Sequence, residues 1–240
     1  MHSYLIDLLQ RLKNNDYIPG ATELPGIWEN EKTVGYAAML EAQKLSDESL
    51  IPELIDEFVR VPTDKDVHDI LFLISSIVTN TLNRSGIDFM YKLLLIKGRN
   101  PFLSHCLGFF SSRVQLTKEY SIKPIVDLFE SRSEKIRIDS YGAIANSLHD
   151  ERERILLDRL ATLTRPYEIE GLLLILSRVC GEQARSAAEH YMKSKSSRVR
   201  TAAKLCVSSI NVKGGQTVAS QISKLPTWIQ TIDKNRPKNS

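Results

Sequence analysis

Apolar residues recur along this chain at helical spacing, in short bursts separated by polar turns. Ser3 to Leu12 opens the pattern, with Tyr4, Leu5, Leu8, Leu9 and Leu12 along one side. Asn14 to Asn30 then holds Pro19-Gly20 and Pro25-Gly26 without a sustained period, which predicts a long loop. Thr33 to Leu45 resumes the helix, turning Val34, Ala37, Ala38 and Ala42 inward. Another first helix runs from Ser49 through Leu54, Ile55 and Phe58. After the turn Pro62 to Lys65 it gives way to Asp66–Leu82. That helix is apolar nearly all round, as helices sandwiched between others are. Ile87–Ile96 and Phe102–Phe110, broken at Gly98 to Pro101, form the next pair. Further along, Arg152–Leu163 pairs with Ile169–Val179 across Arg165-Pro166, and Gln183–Met192 pairs with Arg198–Ile210.

The clearest unit lies between them, at Ser121 to Leu148. Ser121 is placed to cap a first helix, Pro124 sits in its opening turn, and Ile125, Val126, Leu128 and Phe129 form its apolar face. Ser131 to Glu134 makes the turn. A second helix follows with Ile136, Ser140, Ala143, Ile144 and Leu148 at helical spacing. Its small residues, Ser140, Gly142, Ala143 and Ala145, mark where another helix approaches closely; alanine at 142 is expected to raise helix stability. The opening Ser-x-x-Pro recurs at Ser49 to Pro52, and the hydrophobic–Arg pair Ile136-Arg137 recurs at Val199-Arg200.

With Val34, Val67, Phe102, Ile136, Ile169 and Val199 as second-helix starts, the spacings are 33, 35, 34, 33 and 30 residues. One such hairpin cannot bury both faces, so a steady period of this length implies stacked repeats. On these residues the chain resembles HEAT-repeat proteins over about 49–210. The resemblance is close for 121–148 and 183–210 and looser for 66–113, where the pair is replaced by Val67-His68 and Phe102-Leu103. It implies an all-α fold, a right-handed α-solenoid of about six antiparallel helix pairs. Residues 1–48 are expected to form an N-terminal capping pair with its long loop. Residues 211–240 should add a capping helix, Trp228 folding back over the last repeat, and a polar tail.

Composition narrows the class without naming a function. The chain has 240 residues, 42% hydrophobic and 25% charged, as ordinary folded proteins do. Three cysteines, Cys106, Cys180 and Cys206, each fall in a helix beside apolar residues and read as core thiols of a reducing compartment. Met1-His2-Ser3 leads straight into an amphipathic segment, and the longest apolar run, Ile70 to Val78, is too short to span a bilayer. The expectation is a cytoplasmic protein without membrane contact. Net charge is +3, but residues 1–120 carry 12 basic and 16 acidic side chains, and residues 121–240 carry 20 and 13. That asymmetry can orient a partner and speed encounter.

No constellation for catalysis is apparent. His2, His68, His105, His149 and His190 are dispersed, no metal-ligand spacing occurs, and Gly214-Gly215 lacks the context of a phosphate loop. Carboxylate pairs such as Glu151 with Glu153 lie in helix openings, where acids complement the dipole. No cofactor or metal is expected. Arg137 and Arg200 read as ties between neighbouring repeats through turn carboxylates, whereas Lys193, Lys195 and Lys204 are equally consistent with a solvated turn or a grip on phosphate.

The HEAT resemblance implies a binding module whose concave, second-helix surface meets another protein. Its residues here would be His68, His105, Tyr141, Arg198 and Lys204, with Tyr141 as the central aromatic anchor. Small helical-repeat immunity proteins, which plug a toxin's active site, are of this size, and an antitoxin or inhibitor role is the most concrete form of the reading. The alternative is a nucleic-acid-binding protein related to HEAT-like DNA alkylation repair glycosylases. Those use a basic concave cleft with tryptophans, whereas Trp28 and Trp228 lie outside the central second helices here. A third resemblance, to HEAT-like bilin lyases, finds no residue to carry it.

Overall fold

The computed structural model describes residues 2–21, 30–60, 67–96, 100–179 and 182–210. Among them the secondary structure is helical, apart from one isolated antiparallel bridge between Tyr17 and Thr33. Among the described residues the α-helices come in six consecutive pairs. They are α1 (Ser3–Leu12) with α2 (Val34–Ala42), α3 (Leu50–Arg60) with α4 (Val67–Thr81), and α5 (Arg84–Leu94) with α6 (Leu103–Ser112). Next come α7 (Lys123–Asp127) with α8 (Glu134–Ala145), α9 (Arg152–Thr162) with α10 (Pro166–Val179), and α11 (Glu182–Tyr191) with α12 (Ser197–Ile210). They form two compact units, Met1–His149 and the part beginning at Asp150. The fold is an all-α solenoid, with helix pairs stacked on their neighbours within each unit. No helix among the described residues is long and apolar enough to cross a membrane. The expectations for Trp28, Cys180, Trp228, the Pro62–Lys65 turn and residues 211–240 lie outside the described residues.

Local chemistry sets the helix ends. Thr33, Asn83 and Ser133 each accept a backbone N–H from the first turn they cap. Ser121 works one step earlier than expected. The cap of α7 is Ile122, without a side-chain bond, and the Ser121 hydroxyl accepts from Lys123 N–H at 3.3 Å. Pro166 opens α10 instead of preceding it, because a proline in the first position forfeits no intrahelical hydrogen bond. Leu82, with φ of +57°, stops α4 in the left-handed conformation common after helix ends.

In the first unit α4 is buried on most of its circumference, through Ile70, Leu71, Leu73, Ile74, Ile77 and Val78. Phe58 of α3 packs edge-on against Phe89 and Phe102, with ring centres 5.2 and 5.0 Å away. Gly86 of α5 lies against Val78 of α4, where a Cβ would come within 2.2 Å of a valine methyl. The most extensive helix contact in this unit is between α6 and α8. A Cβ on Gly142 would sit 2.9 Å from the Ser111 Cβ, and Ala143 beside it is fully buried. In the second unit α10 packs on α12; Leu172, Leu173 and Leu176 of the first and the small residues Ala202, Ala203 and Cys206 of the second are buried.

Two predictions follow from this packing. Gly142→Ala should destabilise the protein by up to about 2 kcal/mol, because an overpacking cost of about 1–3 kcal/mol at Ser111 outweighs the helix-propensity gain of about 1 kcal/mol. This reverses the sequence expectation. Thermal melts of Gly142→Ala alone and with Ser111→Gly test it; the second change should restore stability, and an unaltered melt in the single variant would refute the contact. Cys106 and Cys206 are buried, and desolvation pushes the Cys106 thiol up to about 12. Native protein should therefore label slowly at both cysteines, and unfolded protein fully. Rapid native labelling at either would contradict the packing.

Candidate functional site

The five residues expected to line one strip divide sharply. His68 is exposed in the first turn of α4, its ring 5.8 Å from that of Phe102. His105 is half-buried on α6, and its Nε2 lies 3.2 Å from the Ser75 hydroxyl of α4. Burial, helped by the nearby charges of Arg113 and His68, lowers its pKa to about 4, so the ring is neutral near neutral pH. It serves as a bridge between two second helices that approach less closely than α6 and α8 do.

Tyr141 corrects the expectation. Its side chain is 0% exposed and packs edge-on against Phe129, with ring centres 4.8 Å apart. A large aromatic in α8 finds more area to bury in its own hairpin than on the outer face, so the anchor expected at the middle of the strip belongs to the core. Arg198 and Lys204 are both exposed on α12, in the second unit. Arg198 pairs with Glu170 of α10 at 2.9 Å. The two stand six residues apart on one helix and so point in different directions.

The hydrophobic–Arg positions both reach the turn of their own hairpin. Arg137 donates to the Ser131 carbonyl at 2.6 Å, and Arg200 to the Ser194 carbonyl at 2.7 Å. Both reach back six residues to the turn of their own hairpin. The common offset shows why the pair recurs: the guanidinium closes the loop that joins first helix to second. Arg200 also reaches the Lys195 carbonyl at 2.9 Å.

Sequence reasoning missed the contacts that do link neighbouring repeats. Asn80, near the end of α4, donates its amide to the Gln43 and Leu45 carbonyls at 2.9 and 2.7 Å. Asn146, just past α8, donates to the Phe110 carbonyl at 2.9 Å. Each covers carbonyls at the end of the preceding second helix. Their signal was a separation of 66 residues, two repeat lengths (146 minus 80). Tyr91 and Tyr191 make comparable links from first helices, through hydroxyl bonds to the Ser121 and Leu160 carbonyls.

On the surface beside these ties, Asp139 of α8 accepts from Lys135 at 2.6 Å and from the Ser104 hydroxyl of α6 at 3.3 Å. Lys135 also reaches that hydroxyl. No group of three or more metal-ligating side chains occurs among the described residues. Some of the polar side chains on the second helices are thus committed to bonds between helices and turns.

The His105 bridge makes stability depend on pH. Its folded pKa lies below the unfolded value of 6.5, so its contribution is full above pH 6.5 and is lost as pH falls through about 4. The stability advantage of wild type over His105→Asn should therefore shrink across that window in denaturant titrations; a constant gap would refute the assignment. Tyr141→Ala should cost about 3–5 kcal/mol, as large-to-small changes of buried aromatics do. A near-neutral effect on the denaturation midpoint would return Tyr141 to the surface.

No protein-family model matches the sequence, and no curated protein sequence matches it. Among solved structures, the chain is similar to a designed armadillo repeat protein in complex with the peptide (KR)4, at 15% identity and a TM-score of 0.43. That match covers 87% of this chain and 100% of the other. A second designed armadillo repeat protein shares 15% identity at a TM-score of 0.41, over 85% and 99% of the two chains. An engineered protein from a structural genomics consortium shares 16% at 0.45, over 89% and 98%. These are resemblances of fold, and the solenoid assignment rests on the helix pairing described above.

Proposed function

We propose that the protein is a non-enzymatic binding module that offers the second-helix face of its repeats to another protein. Its most concrete form is an immunity or inhibitor protein of the cytoplasm that occupies and blocks a toxin or enzyme. The observation that carries this reading is the division of labour among polar side chains on the second helices. His105, Asp139, Arg137 and Arg200 are spent on bonds that hold helices and turns, whereas His68 and Lys204 stand exposed. A surface of this kind recognises by shape and charge over a wide area.

The alternative, nucleic-acid binding, draws less support. In the second unit Arg154, Arg185 and Arg198 pair with Asp158, Glu189 and Glu170, and Arg200 is turned to backbone carbonyls. A phosphate grip there would rest on Lys193, Lys195 and Lys204, which are exposed.

Affinity capture from the native host, with and without nuclease, separates the two. A partner protein retained after nuclease supports the protein-binding reading, and loss of every partner on treatment overturns it. With that partner, Lys204→Glu combined with Arg198→Glu should slow association severalfold at low salt, leave dissociation nearly unchanged, and lose its effect at high salt. Association at the wild-type rate at low salt would remove this part of α12 from the interface.

A further inference from the structure

The two repeats of the second unit turn from first helix to second at the same edge. The Tyr191 hydroxyl at the end of α11 donates to the Leu160 carbonyl near the end of α9 at 3.2 Å. Arg198 at the start of α12 pairs with Glu170 of α10 at 2.9 Å. The turns 163–165 and 192–196 are thereby held side by side. Their sequences are Leu-Thr-Arg and Met-Lys-Ser-Lys-Ser, with three cations and no carboxylate. Arg165, Lys193 and Lys195 are all exposed. Arg165 donates to the Tyr167 hydroxyl at 3.2 Å, whereas neither lysine ammonium has a hydrogen bond or ion pair among the described residues.

The longer turn is fixed by its own hairpin. Arg200 donates to the Ser194 and Lys195 carbonyls at 2.7 and 2.9 Å. Ser194 N–H bonds back to the Tyr191 carbonyl at 3.0 Å, and the Ser194 hydroxyl accepts from Ser196 N–H at 3.3 Å. The backbone that carries both lysines is therefore set before anything binds, which lowers the ordering cost of a contact. Charges on the helices beside it are committed within the unit. Arg185 pairs with Glu189, Arg154 with Asp158 and Arg198 with Glu170, and the two lysines stand outside this pairing.

Charge selects the occupant. A basic segment would be repelled, and an apolar one would strip water from two ammonium groups without replacing it. A polynucleotide gains affinity by spreading its phosphates over many cations. Beyond these turns its backbone would meet the exposed carboxylates of Asp158 and Glu189. A short acidic stretch of protein places its charge on the turns and ends there. We propose that the edge formed by Arg165, Lys193 and Lys195 receives a short acidic segment of the partner protein, its carboxylates set against the two lysines. The proposal deepens the protein-binding reading and rests on it.

Nitrogen–proton correlation NMR of the full chain at low salt, titrated with the blocked peptide acetyl-Gly-Glu-Asp-Glu-Gly-amide, tests this directly. The peptide should shift the amides of Lys193, Lys195 and Ser196 saturably, with a dissociation constant on the order of 1 mM. Its Gln-Asn-Gln counterpart, equal in shape but uncharged, should bind at least roughly tenfold more weakly. Lys193→Gln combined with Lys195→Gln should bring the acidic peptide to that level with an otherwise unchanged spectrum. Lys44→Gln combined with Lys123→Gln removes the same charge from exposed positions of the first unit and should leave binding as in wild type. Equal weakening by the two double variants would reduce the effect to net charge and overturn the proposal. Absence of saturable shifts up to about 10 mM, or equal binding of the two peptides, would do the same. So would a thymidine tetranucleotide, equal in charge to the acidic peptide, that shifts the same amides at lower concentration. Because the probe is an isolated peptide, its failure removes this edge and leaves the partner reading to the capture experiment.

Discussion

A helix hairpin of this length cannot close a core by itself, and everything in this molecule depends on how near a second hairpin can come. Between α6 and α8 the limit is set by atoms smaller than a methyl group: Gly142 leaves room for Ser111, and Ala143 fills the remaining depth. Close approach places many atoms at contact distance, and dispersion summed over them offsets the entropy of ordering the pair. Between α4 and α6 the side chains are larger and the helices stand further apart. There a polar bridge from Ser75 to a neutral His105 connects what backbone proximity does not.

The fold was legible because its signal is periodic. The second helices recur every 30 to 35 residues, and almost every helix lies within a few residues of where the apolar spacing placed it. The structure departs from the pattern at helix ends, where chemistry is local: Pro166, which the spacing reads as a break, is a helix start, and Ser121 bonds before the cap instead of at it. The candidate site was far less legible. Tyr141 carries an apolar ring and a polar hydroxyl, and nothing in its spacing says which neighbour buries the ring; only the position of Phe129 decides that. Arg137 and Arg200 share a contact by recurrence, but the Ser131 and Ser194 carbonyls they reach are backbone groups, which every residue carries and no sequence pattern marks.

Several polar groups of the second helices are already bonded within the protein. Asp139 faces Lys135 and Ser104, and Arg198 faces Glu170, so the local geometry of these side chains is set within the chain itself. Exposed pairs of this kind contribute little to stability, typically below about 1 kcal/mol. Their main effect here is on rotamer freedom and on the local field. The acidic excess in the first 120 residues and the basic excess in the remainder leave the two halves of the sequence opposite in sign.

Asn80 and Asn146 add a dependence that runs backwards along the chain. The carbonyls at the C-terminal end of a helix lack intrahelical donors. Those at the ends of α2 and α6 receive theirs from an asparagine that arrives one repeat later. A repeat emerging first during synthesis is therefore chemically incomplete until its successor folds against it. Cooperativity in this array is written into hydrogen-bond stoichiometry as well as apolar contact, and a repeat excised at its own helix boundary would take with it the cap of the one before.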